Sequence, residues 1–408
     1  MLVLAWPQRR RAGRVFSMRI LKILYNIEGK GTYWRALGFA EELVARGHEV
    51  TLVATAKTSK RDFHCEIRNG VKVVLAPDIL SGSLRSGWDP VSVLKRIAYF
   101  KTDRFDLIHA YESRPVVIYP ALYIAKQQKI PLITDWCDWF GRGGSVEQRP
   151  NPIIRGILRP IETHFENYYR PQTAGITVIN SILEHKSKAL GFTPDQTHLL
   201  HNGVDPKVMY PQNKVAVRKK LNLNLEGTYI GYTGTIFKSD AKLLGEAFDR
   251  LHTKSPETRL LMIGYLNLDM RDFTRAKHHN AIIQTGQLPF DQLLQFVSAC
   301  DIGCLPLVNH NANRGRFPLK LFDFMSHERP VVVTNTGDLG NIVSKHQAGF
   351  VIDDDTPESL ANQLSELMSS PQKMRELGKN GRWAIENHYS WPIVTEGLER
   401  FYLSMTQQ

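Results

Sequence analysis

Residues 313–333 read Asn-Arg-Gly-Arg-Phe-Pro-Leu-Lys-Leu-Phe-Asp-Phe-Met-Ser-His-Glu-Arg-Pro-Val-Val-Val. They parse as a basic loop, a helix that starts at Pro318, and a strand at Val331–Val333. Proline fits a helix start, where its missing N–H would be unpaired anyway. A β-branched run with no polar alternation fits a strand covered on both faces. A helix feeding such a strand is the repeating unit of an α/β fold. The loop carries a chemical hint as well. Arg314, Arg316 and Lys320 gather positive charge at the helix N-terminus, which attracts phosphate. Asp323, about a turn further on, can accept from ribose hydroxyls, so the order suits a nucleotide diphosphate.

Working outward, the same unit recurs. TYIGYTGT, TRLLMIGY, AIIQTG, DIGCLPL, RPVVVTN and GFVID form one set of short buried strands separated by helical patterns. ILKILYNI, HEVTLVAT, VKVVLAP, DLIHAY, PLITDW, GITVIN and HLLHNG form another, with amphipathic helices at Tyr33–Arg46 and Val116–Gln128. Two sets predict two doubly wound, Rossmann-like domains, which is also what 408 residues require. The Asn-Gly turn and two prolines of HNGVDPKVMYPQN mark the boundary. The expected division is 18–208 for the first domain and 209–388 for the second. Residues 389–408 give a C-terminal helix able to cross back to the first domain, and 1–17 a disordered extension. Within the first domain, 141–170 becomes an amphipathic helix carrying Ile153, Ile154, Ile157, Leu158 and Ile161. It is expected to pack on that domain. The alternative is a basic rim that touches membrane or acceptor.

A net charge of +12 implies anionic partners. The lysines and arginines are dispersed and no recognition motif accompanies them, so nucleic acid is not expected. Nucleotide-sugar phosphates or an anionic membrane surface remain. No apolar run approaches the ~20 residues that span a bilayer. The N-terminal MLVLAWPQRRR has its apolar run before its charge, the reverse of a secretory signal. Cys65, Cys137, Cys300 and Cys304 are too scattered for a disulfide framework or a metal site, and read as buried thiols of a cytoplasmic protein.

Ligands of open α/β sheets bind beyond the carboxyl ends of strands. Four loops stand there. In the first, Gly29 and Gly31 allow close backbone approach. In the second, Thr233, Gly234 and Thr235 offer hydroxyls and free backbone, and Lys238 can neutralise phosphate. The third pairs Gly264 with Gly286-Gln287-Leu288, suited to holding a base through backbone hydrogen bonds. The fourth is the quoted stretch with Arg316, Leu319, Lys320 and Asp323. Beyond these, Asp135 and Asp138 follow strand PLI and are expected to face the interdomain cleft, where paired acids bind sugar hydroxyls or steer a proton. Capping a turn is the other reading of Asp138. His48 reads as structural, and His201 is open. No nucleophile set and no acidic metal pair is readable.

These pieces, in this order, resemble glycosyltransferase family 4, whose members have the GT-B fold. The likeness rests on Gly-x-Gly before a helix, ARGHEVTLVA, DLIHAY, VINS and HNGVD. It continues through GYTGT, TGQLPFDQLLQFVSACDIGCLPL, FPLKLFDFMSHERPVV and AGFVIDDDTPESLANQL, and covers residues 18–405. It implies a retaining, metal-independent hexosyltransferase with no cofactor, using a UDP- or GDP-linked sugar. The second domain would bind the donor, and the first would bind a glycan, lipid or small-molecule acceptor. It implies Lys238 and Lys320 at the diphosphate and Asp323 at the ribose; the place of Asp135 and Asp138 after strand PLI, rather than the resemblance, makes Asp135 a third catalytic candidate and puts both acids on the acceptor side. Two departures stand out. The family often has two glutamates eight positions apart, where this chain has Gly315 and Asp323. It also often has a histidine near the sugar, where this chain reads Asp135-Trp136. A cytoplasmic enzyme is the expected setting, with peripheral contact at the inner membrane face as the alternative. The competing readings are a nucleotide-sugar 2-epimerase and a binding protein that has lost turnover.

Overall fold

A computed structural model describes residues 17–80 and 86–407. The expected extension therefore lies almost wholly outside the described residues. The chain forms two parallel sheets, each covered by helices. The first contains β1 (Arg19–Ile27), β2 (Glu49–Thr55), β3 (His64–Arg68), β4 (Val71–Ala76), β5 (Leu107–Tyr111), β6 (Leu132–Trp136), β7 (Gly175–Val178) and β8 (Thr197–Leu199). Its order is β3-β4-β2-β1-β5-β6-β7-β8, parallel except for β3 against β4. The second contains β9 (Thr228–Thr233), β10 (Thr258–Ile263), β11 (Ile282–Gln284), β12 (Ile302–Leu305), β13 (Val331–Thr334) and β14 (Gly349–Ile352). Its order is β11-β10-β9-β12-β13-β14. The winding reverses between β1 and β5 in one sheet and between β9 and β12 in the other. Crevices open at such reversals, outside the carboxyl ends of the strands.

The one strand that the sequence pattern misses is β3. Its side chains are largely exposed, so it lacks an apolar signature. Its signal is the turn: Asn69 and Gly70, both at positive φ (48° and 83°), close the hairpin to β4. Cys65 lies on this strand and is exposed, unlike the other three cysteines.

Six helices matter for function: α1 (Tyr33–Ala45), α2 (Pro115–Gln128), α3 (Pro152–Tyr168), α4 (Lys238–Lys254), α5 (Lys320–Ser326) and α6 (Trp391–Thr406). Helix α6 returns to the first domain. Ser390 bridges to Val204, and the Trp391 ring wedges between Gly38 and Gly203, where a Cβ on either would come within 2.4 Å of it. Leu398, Tyr402 and Met405 complete the core beneath β1 and α1. Lys22, buried in mid-strand, donates to Tyr111 Oη (2.8 Å) and Tyr402 Oη (3.1 Å). Burial lowers its ammonium to a pKa of about 7.

Helix α3 docks by the opposite face from the one expected. Asn151 caps it, accepting from the N–H groups of Ile153 and Ile154. The inward residues are acids. Glu162 pairs with buried Arg114 (2.9 Å). Glu166 accepts from Trp136 Nε1 (3.0 Å), Phe140 N and Gly141 N (2.9 Å each). A buried carboxylate must be paired, and this requirement fixes the rotation of the helix. The isoleucines consequently face outward.

Candidate active site

The crevice at the β9–β12 reversal is built from backbone first. Gly234 and Gly264 adopt φ of 67° and 87°, a region that costs glycine little. Gly234 N–H donates to Ile263 O (2.8 Å), and Gly264 bridges Gly286. The ends of β9, β10 and β11 are thereby turned together. Thr235, Gln287 and Lys238 are exposed beside them, and Leu288 is half-buried.

Side chains of the quoted stretch close the crevice. Lys320 Nζ donates to Tyr232 Oη (2.7 Å) and Thr235 O (2.8 Å), and lies 4.0 Å above the Tyr232 ring. An ammonium has three donors, so one remains for a ligand. Burial, and then the neighbouring Arg316, lower Lys320 to about 7. Asp323 Oδ2 accepts from Thr233 Oγ1 (2.9 Å), leaving further lone pairs. Burial raises this carboxyl to about 6, against the opposing pull of Thr233 and Lys320. Arg316 donates to Asn313 Oδ1 (2.6 Å), stands 3.5 Å from Asp240 and lies over the Phe237 ring. Helix α5 begins at Lys320 rather than Pro318. Its entry is tightened by i→i+3 bonds, Leu321 N to Pro318 O and Phe322 N to Leu319 O. At seven residues it is a weak dipole source, so side-chain cations dominate the local field. Leu319 is exposed at its mouth.

The first domain reaches this cluster through the loop after β6. Asp138 forms a backbone bridge with Arg316, and Trp139 N–H donates to Gly315 O (3.2 Å). Asn180 Nδ2 donates to Arg314 O (2.9 Å), and Ser181 N–H to Asp338 Oδ2 (2.9 Å). This approach explains Gly315. A Cβ there would lie 2.5 Å from Trp139 Cβ, so no acid fits at that position. Burial raises the Asp138 carboxyl to about 6, with Arg316 opposing.

Asp135 differs from the expectation of a cleft-facing acid. It is fully buried and paired with Arg35 (2.9 and 3.0 Å), with Thr177 Oγ1 and Cys137 Sγ also donating to it. Burial alone would raise its pKa, but Arg35 overcomes this and holds the carboxyl below the usual range. Asp138 is the acid of this loop that meets the second domain. Gly29 and Gly31 (φ 76° and 56°) sit beyond β1, in a turn closed by Trp34 Nε1 donating to Gly29 O (2.9 Å). His48 is structural: Met18 N–H donates to its Nδ1. His201 bonds Ile179 O through Nδ1 and faces the Phe317 ring.

Glu112 is a residue that sequence reasoning missed. It directly follows β5 in a left-handed conformation (φ 67°), accepts from Cys137 N (2.8 Å) and Asp138 N (3.3 Å), and pairs with Arg170 (2.7 Å). It therefore holds the loop that carries Asp138. Its only signal is an acid directly after a buried strand.

Two family models match the chain: Glycosyltransferase Family 4 over residues 30–208, and Glycosyl transferases group 1 over residues 227–370. Spore coat protein SA of Bacillus subtilis is 23% identical over 321 residues, covering 75% of this chain and 80% of its own. The capsular polysaccharide biosynthesis glycosyltransferase CapM of Staphylococcus aureus is 25% identical, over 56% of this chain and 58% of its own. Among solved structures, sucrose-phosphate synthase from Thermosynechococcus elongatus superposes with a TM-score of 0.72 at 18% identity, covering 94% of this chain and 98% of that one. Anabaena HepE, in complex with UDP and glucose, gives 0.68 at 14% identity, covering 95% and 100%. The two models fall on the two sheets in turn, and the chain belongs to the group 1 glycosyltransferases of family 4, enzymes of the GT-B fold.

Proposed function

We propose that this glycosyltransferase takes a sugar from a UDP- or GDP-linked donor and transfers it, with retained anomeric configuration and without a metal, to a glycan, lipid or small glycoside. One observation carries the reading. Lys320 and Arg316 gather with the Asp323–Thr233 pair at the β9–β12 reversal, and exposed Lys238 opens α4 directly after Phe237, whose ring Arg316 covers. Cations beside a carboxylate match the diphosphate and ribose of a nucleotide. The UDP bound to Anabaena HepE supports the same class of ligand.

In the proposed step, the bond from C1 to the diphosphate oxygen breaks and a bond from the acceptor oxygen to C1 forms on the same face. The acceptor proton passes to the departing diphosphate. Lys320 and Arg316 stabilise the charge that develops there. Asp138, beside Arg316, takes the acceptor side in place of Asp135. Gly264, Gly286, Gln287 and Leu288 flank the base, and Leu319 lies over the nucleotide. Closure of the two domains excludes water and favours transfer over hydrolysis.

Calorimetry with UDP, GDP and ADP tests donor binding, and no heat at millimolar nucleotide would reject it. A screen of nucleotide sugars with mass detection of slow hydrolysis then identifies the donor without an acceptor. NMR of the released anomer reports configuration, and turnover abolished by a chelator would contradict the metal-independent step.

A further inference from the structure

The outward face of α3 has the chemistry of a buried one. Ile153, Ile154, Ile157 and Ile161 are 73%, 47%, 58% and 38% exposed, at spacings that form one ridge. The helix cannot roll to hide them, because Glu162 and Glu166 are anchored beneath it by Arg114, Trp136 and two backbone N–H groups. The ridge continues onto α2 through the contact of Tyr119 Oη with Tyr169 Oη (3.0 Å). There Tyr119, Tyr123 and Lys126 are exposed along one line. Arg149, with 44% of its side chain exposed, precedes the helix, and Arg155 and Arg159 lie on it. The nearby Glu147 is already paired with Arg159.

An isoleucine ridge with flanking arginines and tyrosines matches the boundary of an anionic bilayer: apolar side chains enter the acyl region, tyrosine rings lie at the headgroups, and guanidinium groups meet phosphates. A second copy of the chain fits less well. A two-fold contact through this ridge would set the same arginines against one another. We propose that α3 seats the protein on an anionic bilayer through Ile153, Ile154, Ile157 and Ile161. The helix follows the loop in which Asp138 and Trp139 touch the donor cluster, so a bilayer on this face lies beside the cleft. Resting on the transferase reading above, the acceptor is then a glycan or sugar carried by a membrane lipid.

Flotation of the full chain with phosphatidylcholine vesicles, with and without phosphatidylglycerol, tests the docking. Binding is expected only with the anionic lipid and is expected to weaken as salt rises. The double variant Ile153→Ser/Ile157→Ser should bind about tenfold more weakly or worse. Its thermal melt and UDP affinity should stay unchanged, because both side chains are exposed and neither takes part in the contacts of the nucleotide cluster. Arg149→Glu/Arg155→Glu should abolish the preference for anionic lipid. Equal flotation of wild type and the serine variant overturns the proposal. So does a wild-type dimer in light scattering that the serine variant converts to monomer, since the ridge would then be a contact between copies. Vesicle binding without any nucleotide binding would sink the donor reading and leave the docking surface standing.

Discussion

Lys320 is poised between two charge states. In the free protein, burial and Arg316 hold it near 7, so at pH 8 it is mostly neutral. A diphosphate brings negative charge to its free donor and raises that pKa. Between the two values the complex holds more protons than the free protein. UDP binding should therefore take up a proton at pH 8, and affinity should fall as pH rises from 7 towards 9. Calorimetry in buffers of different ionisation enthalpy reads the uptake directly, and a buffer-independent enthalpy would refute it. Lys320→Ala removes a charge-assisted bond of about 1.5–3 kcal/mol. The expected loss is roughly 10- to 100-fold for UDP and little for uridine.

Asp135 makes the contrary case. Paired with Arg35 at zero exposure, it serves the fold. Asp135→Asn leaves the guanidinium buried without its countercharge, a change that costs about 3–5 kcal/mol. Urea unfolding should show that loss, while donor hydrolysis per folded molecule stays near wild type. A stable but inactive variant would restore the catalytic reading. The two residues show which parts of the site were legible. Lys320 and Asp323 lie one turn apart at a helix start, so their neighbourhood is local in the sequence. The partner of Asp135 is 100 residues away on α1, and no spacing rule connects them.

Elements show the same divide between local and distant causes. Apolar runs mark thirteen of the fourteen strands among the described residues, because a strand covered on both faces writes its burial into its composition. Exposed β3 left only its Asn-Gly turn. The period of α3 announced a helix but not which side would face the protein, since that depends on Arg114 and the loop around Phe140. Close contact between elements is testable at Gly38 and Gly203. Alanine raises helix propensity at Gly38 by about 1 kcal/mol. Against this, the new methyl would meet the Trp391 ring at 2.4 Å, and overpacking costs about 1–3 kcal/mol. Gly38→Ala and Gly203→Ala should both lower the melting temperature, Gly203→Ala more, as it has no helical compensation. A stabilised Gly203→Ala would show that Trp391 moves aside freely.

For the whole molecule, the proposed transfer depends on how the two domains meet. Asn180 and Asp338 provide four hydrogen bonds across that junction, to Arg314 O, Arg316 O and twice to Ser181. At about 1 kcal/mol each, their loss should shift the population towards open forms. Asn180→Ala combined with Asp338→Ala should raise the radius of gyration in small-angle scattering, and UDP should partly reverse the change. Identical scattering from variant and wild type would mean that the other contacts hold the closure alone.

The return of α6 carries a consequence for biosynthesis. Lys22 lies in β1, the first strand made, yet its hydroxyl partner Tyr402 is translated 380 residues later. A ribosome must therefore make the entire second domain before the first can finish its core. Until then, the surface awaiting Leu398, Tyr402 and Met405 is open to chaperones. The nascent first domain is thus the part most in need of their protection, although it is made first.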